Sequence, residues 1–148
     1  MKYYVAYGSN LDMEQMARRC PDARPYASGI LKGYELIYRG SLTGSYATIR
    51  KRKGKMVPVG VWCISPADER SLDRYEGYPH FYQKQTVSVA LESGLDVEGM
   101  VYIMRRDAKP GRPYQGYVDT LLRGYLDFGL DESYLLESLE LNRNETKA

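Results

Sequence analysis

Two short segments of this chain carry the residues best suited to chemistry. The first is Tyr7-Gly8-Ser9-Asn10, at the junction between a strand-like run and a helix-like one. Glycine lets the backbone approach a ligand closely, and the first N–H groups of a helix have no partner within it. Amides arranged in that way suit an anion or a developing oxyanion. The same residues also suit an ordinary capped turn, which is the commoner use of such a sequence. The second is Glu76. A carboxylate is favoured at a helix start, and this one falls at a helix end, where the macrodipole opposes its charge. That placement, with burial against Tyr75 and Tyr78, would raise its pKa and make it a usable general base. A solvated Glu76 relieved by Arg74 is the plainer alternative.

Other reactive constellations are missing from the sequence. His80 is the single histidine, so a Ser–His or Cys–His nucleophile would rest on it alone. Beside Pro79 it reads as a loop residue. His, Cys and carboxylates do not cluster at metal-ligand spacing. The chain has neither a Gly-x-Ser-x-Gly elbow nor a phosphate-binding Gly-x-x-x-x-Gly-Lys loop. No metal and no cofactor are therefore expected.

These residues need elements to hold them. Lys2–Tyr7 reads as a strand stopped by Gly8. Ser9, with Asp12 three residues on, resembles a capping box opening a helix that runs to about Arg19, before Pro21. Residues 27–39 suggest one or two strands broken at Gly33. Tyr46–Ile49 and Met56–Ile64 suggest the arms of a hairpin around the basic run Arg50-Lys51-Arg52-Lys53-Gly54-Lys55. Ser65 and Pro66 open a second helix bearing Leu72 and Tyr75 on its apolar face, which Gly77 and Pro79 close. Phe81–Leu91 and Val97–Met104 alternate as paired strands around Glu92–Asp96. Tyr117, Val118, Leu121, Leu122, Tyr125 and Leu126 recur with helical period. Gly129 caps that helix, Asp131 begins another, and residues 143–148 read as a frayed tail. Strands and helices without regular βα alternation make the class α+β.

At 148 residues the chain is expected to form a single domain, residues 1–148. No run approaches the roughly 20 apolar residues of a membrane span, and Met1-Lys2-Tyr3-Tyr4 lacks the apolar core of a signal peptide. Cys20 and Cys63 show no paired spacing, so free thiols and a cytoplasmic setting are expected. Charge is nearly balanced, 21 Lys+Arg against 19 Asp+Glu, which gives no general attraction to nucleic acid or membrane. The basic run reads as a solvated turn. Tyrosine is in excess, 15 residues against 2 Phe and 1 Trp. Its rigid, hydroxyl-tipped rings suit both a core and a polar pocket.

Taken together, Tyr7-Gly8-Ser9-Asn10-Leu11 and Leu72-Asp73-Arg74-Tyr75-Glu76-Gly77 closely resemble the γ-glutamylcyclotransferase family. Pro113, Tyr117, Gly124, Gly129-Leu130 and Tyr134 are similar to its C-terminal helical segment, so the resemblance covers nearly the whole chain. One departure lies at Pro113-Tyr114, where the family often has Pro-Ser. The resemblance implies a small mixed β-barrel with flanking helices and a pocket at the barrel's edge. It also implies a small-molecule γ-glutamyl substrate whose own α-amine attacks its γ-carbonyl. The products would be 5-oxoproline and a free amine, from a peptide, an amino acid, a lysine side chain or a protected natural product. Carried onto this chain, Glu76 is the general acid/base. Tyr7 and the backbone of Gly8, Ser9 and Asn10 hold the glutamyl group, and Tyr117 and Tyr82 line the site. A non-catalytic binder of a small glutamyl-like ligand on the same fold is the alternative; a carboxylate in the pocket argues against it. An RNA-binding domain using the tyrosines and the basic turn is a more distant one.

Overall fold

The computed structural model describes residues 1–41 and 44–147. Five strands close into a mixed barrel: β1 (Lys2–Ala6), β2 (Arg24–Ser41), β3 (Gly44–Ile64), β4 (Tyr82–Leu91) and β5 (Asp96–Met104). Their order is β3-β1-β5-β4-β2, and β2 pairs back onto β3 to close the ring. A two-residue strand, β6 (Lys109–Pro110), adds to β2. The sheet is mixed because β1 runs antiparallel to β3 and parallel to β5. Four α-helices surround it among the described residues: α1 (Met13–Arg19), α2 (Pro66–Glu76), α3 (Gln115–Phe128) and α4 (Glu132–Glu145). None of them is long and apolar enough to cross a membrane.

Closure explains the burial pattern. In β4, Val87, Val89 and Leu91 are buried while Ser88 is exposed, the alternation of a strand with one face on the core. Val5, Val57, Val59, Val61 and Val101 fill the interior with β-branched side chains, which pack well on a pleated surface. α4 covers β2, where the buried Tyr38 hydroxyl meets Ser138 Oγ at 2.9 Å.

Three local expectations change. The basic run is not the turn of a short hairpin, because residues 46–49 and 56–64 both belong to β3 and both pair with β2. Pairing passes from Lys32↔Met56 to Tyr34↔Lys51, so Arg52–Lys55 bulge out opposite Gly33. The real hairpin joins β2 to β3, with its last described pair at Ser41↔Gly44. Second, Ser9 does not cap a helix. Ser9–Leu11 is a separate 3-10 turn without a side-chain cap, and Asp12 caps α1 by accepting from the amides of Glu14 and Gln15 at 3.0 and 3.3 Å. Third, α4 continues through Arg143 to Glu145, into the stretch expected to fray.

The second helix begins and ends as its sequence suggests. Ser65 Oγ accepts from the Asp68 amide and the Asp68 carboxylate accepts from the Ser65 amide, a complete capping box with Pro66 in the first turn. Gly77 ends it at φ +64°, a left-handed conformation that side chains with a Cβ disfavour.

Candidate active site

A cavity opens where β1 runs into the 3-10 turn and the last turn of α2 lies against the barrel mouth. It is lined by Gly8, Ser9, Asn10 and Glu76, with the rings of Tyr4, Tyr7, Tyr82, Tyr102 and Tyr117 forming most of the wall. All seven residues singled out from the sequence, Tyr7 to Asn10, Glu76, Tyr82 and Tyr117, border this one space.

Packing holds the turn in place. The Leu11 and Asp12 amides donate to the carbonyls of Gly8 and Ser9 at 3.0 and 3.1 Å. Trp62 Nε1 donates to the Asn10 carbonyl at 3.0 Å. From the other side, α3 comes so close that a Cβ on Gly124 would meet the Leu11 carbonyl carbon at 2.8 Å and the Asp12 nitrogen at 2.9 Å. Only glycine lets these backbones approach so closely without a shift. Arg123 of α3 also donates to the Asp12 carboxylate at 3.2 Å.

The tyrosine hydroxyls are directed by backbone groups from distant parts of the chain. Tyr7 donates to the Tyr102 carbonyl at 2.7 Å, and Tyr82 donates to the Ala47 carbonyl at 2.9 Å. The Ala47 amide donates to the Tyr117 hydroxyl at 2.9 Å. Ala47 therefore orients two rings at once, one through each of its backbone groups. Burial holds the Tyr7, Tyr82 and Tyr117 hydroxyls well above their ordinary pKa, so they are neutral at physiological pH.

Glu76 is the carboxylate of the cavity. Burial pushes its pKa up to about 7, opposed by the Arg19 guanidinium. Asn10 Nδ2 donates to Glu76 Oε1 at 3.4 Å and to the Tyr4 hydroxyl at 2.9 Å. The environment differs from the one expected. Tyr78 lies outside the lining, and Tyr75, itself about half exposed, borders the cavity only at its edge, so most of the enclosure comes from Tyr4, Tyr7, Tyr82, Tyr102 and Tyr117. Arg74 does not relieve the charge; its guanidinium reaches Ser71. A carboxyl poised near neutrality can both accept and return a proton.

Ser9 Oγ lies 3.4 Å from the Tyr75 hydroxyl, and a hydroxyl is too weak a base to make it a nucleophile. His80 is exposed on the loop after α2, outside the cavity lining. Several contributors escaped the sequence reading. Tyr4, Tyr46 and Tyr102 line the space without any motif to flag them, and Arg19 stands just behind Asn10. The tyrosine excess was the only signal, and it named no position.

Comparison with known proteins follows the same lines. The family model described as "Gamma-glutamyl cyclotransferase, AIG2-like" matches residues 4–119, more than half of the chain. A gamma-glutamylcyclotransferase from Bos taurus is 30% identical over 150 residues, spanning 94% of this chain and 79% of that protein. The Homo sapiens protein of the same name is 29% identical over the same shares. A solved structure named gamma-glutamyl cyclotransferase superposes with a TM-score of 0.83 at 28% identity, covering 96% of this chain and 86% of that one.

Proposed function

The chain belongs to the gamma-glutamyl cyclotransferase, AIG2-like family and is an enzyme of that type, and from that premise we propose that it releases 5-oxoproline and a free amine from a small γ-glutamyl amine or peptide, with residues 1–148 acting as one domain. In this reading the substrate's α-ammonium gives a proton to Glu76. The freed amine attacks the γ-carbonyl, forming the ring C–N bond. The tetrahedral oxyanion faces the backbone of Gly8–Asn10. The oxyanion then re-forms a carbonyl and the original C–N bond breaks as Glu76 returns its proton to the departing nitrogen. Glu76 next takes the second proton from the ring nitrogen, leaving the neutral lactam, and passes it to the freed amine, which departs as an ammonium. No covalent enzyme intermediate forms, and atoms and charge balance without an added reactant.

The single observation that carries this reading is Glu76, with its pKa near 7, in a tyrosine-walled cavity beside Asn10. An α-ammonium is mostly protonated at neutral pH and needs a base before it can attack. Among the lining groups, hydroxyls and amides are too weakly basic to serve. Neutral tyrosines supply a low-dielectric wall in which the electrostatics of the step are strengthened.

A panel of γ-glutamyl amides that differ in the departing amine, assayed for 5-oxoproline by mass spectrometry, tests the proposal. Release from at least one class is expected. Binding across the panel with no release from any member would assign the cavity to ligand binding instead.

A further inference from the structure

Consecutive arginines at the end of α1 have opposite fates. Arg18 points outward and pairs with Glu14 one turn back at 3.2 Å, an ordinary surface i,i+4 pair. Arg19 is half-buried and turns toward the cavity. Its guanidinium stacks on the Tyr75 ring, 3.5 Å from the ring centroid, and Nη1 donates to Asn10 Oδ1. Close contact with a ring face suits a planar, weakly hydrated cation.

The bond to Asn10 has a directional consequence. Asn10 is 3% exposed, so its amide has few alternative partners. A guanidinium has donors only, and the oxygen of the Asn10 amide must therefore face Arg19. That leaves Nδ2 directed at Tyr4 and Glu76. Were the amide reversed, its oxygen would face the Glu76 carboxylate, and two acceptors would meet. Tyr75, which Arg19 stacks on, also reaches Ser9 Oγ at 3.4 Å. One side chain thus touches both the partner of Glu76 and a ring of the cavity wall.

We propose that Arg19 is a positioning residue, acting through Asn10 to keep an amide nitrogen turned toward Glu76 and presenting a positive charge behind it. This rests on Glu76 being the proton carrier. The groups around Glu76 support the assignment. Tyr4 from β1, Tyr7 just beyond it, Tyr82 from β4 and Tyr117 from α3 are all held neutral by burial. Arg19 is the cation that opposes burial in setting the Glu76 pKa.

Three variants decide it: Arg19→Met, which keeps bulk over Tyr75; Arg19→Lys, which keeps the charge; and Arg19→Gln, which keeps a donor without charge. The readout is the pH profile of kcat/KM for a γ-glutamyl amide. The acidic limb of Arg19→Met should move to higher pH by on the order of one unit, the lower end for an opposite charge at close range. At a pH below the limb, kcat/KM then falls about tenfold. Arg19→Lys should recover most of that shift. An unmoved limb overturns the proposal, whatever happens to the melting temperature. If Arg19→Met does not fold, Arg19→Gln carries the same test. A second measurement stands apart from turnover: titration of the Glu76 carboxyl by carbon NMR in wild type and variant. If no γ-glutamyl compound is cleaved, the reading of function fails. The NMR titration still decides Arg19, with an unchanged Glu76 midpoint as the negative result.

Discussion

Glu69 and Glu76 lie about two turns apart on α2, and their surroundings pull them in opposite directions. Glu69 sits in the first turn, behind the Ser65 capping box, with Lys84 at 2.7 Å and Lys2 at 2.9 Å. Lys84 foremost holds its carboxyl below the ordinary range, against a smaller opposing effect of burial and with help from Lys2. Glu76 ends the same helix inside the tyrosine-lined cavity, where burial pushes it up to about 7. The N-terminal end of α2 is built like a stable protein: cap, dipole and ion pairs agree. The C-terminal end sets a charge against the dipole and half-buries it at the cavity wall. Such a conflict at one end of an otherwise consistent helix is where a functional group is expected.

The strongest way to break this comparison is Glu76→Gln. The amide keeps the shape of the carboxyl and cannot accept the proton. General acid–base catalysis is worth ~10²–10⁴-fold, and turnover should fall by that factor while substrate binding, read by calorimetry, persists. A variant that still releases 5-oxoproline near the wild-type rate would remove Glu76 from the chemistry.

Next in size is the effect on stability. Glu76 has a folded pKa of about 7 against an ordinary value of 4.5, so the folded state binds the extra proton between those pH values. The stability this lends is fully present below 4.5 and is lost as pH rises through 7. The full shift corresponds to on the order of 3 kcal/mol as an upper bound. Urea unfolding should therefore find Glu76→Gln more stable than wild type at pH 8, by up to that amount. The gain should vanish near pH 4.5. A gain of equal size at both pH values would mean that the buried charge is not its cause.

The smallest effect belongs to Glu69→Gln. Its ion pairs are only partly buried, and pairs of this kind contribute about 0.2–1 kcal/mol. Stability at pH 7 should drop by that little. Because the folded pKa of Glu69 is lowered, the difference from wild type should close as pH falls below 4.5. Turnover should stay within a few-fold of wild type. A loss as deep as that of Glu76→Gln would erase the distinction between the two ends of the helix.

What the sequence determined by itself is local. Ser65 with Pro66, Gly77, Gly129 and Asp131 mark helix ends because capping needs only neighbours within four residues. The pairing of β4 with β5 was legible for the same reason, since one short turn separates them. Tyr7–Asn10 and Glu76 stood out as a pair through their resemblance to a known family, not through their separate chemistry. Tertiary structure decided the rest. Ser9 lost its role as a cap because Trp62 and Gly124, both far along the chain, hold Ser9–Leu11 as a 3-10 turn and leave the capping to Asp12. The basic run became a bulge because its pairing partner is β2 and not its own neighbour. Tyr82 and Tyr117 are brought together at Ala47, which is 35 residues from one and 70 from the other. Arg18 and Arg19 are the same residue type on the same helix turn. A rotation of about 100° per residue sends one to solvent and the other to Asn10, and nothing in the local sequence says which.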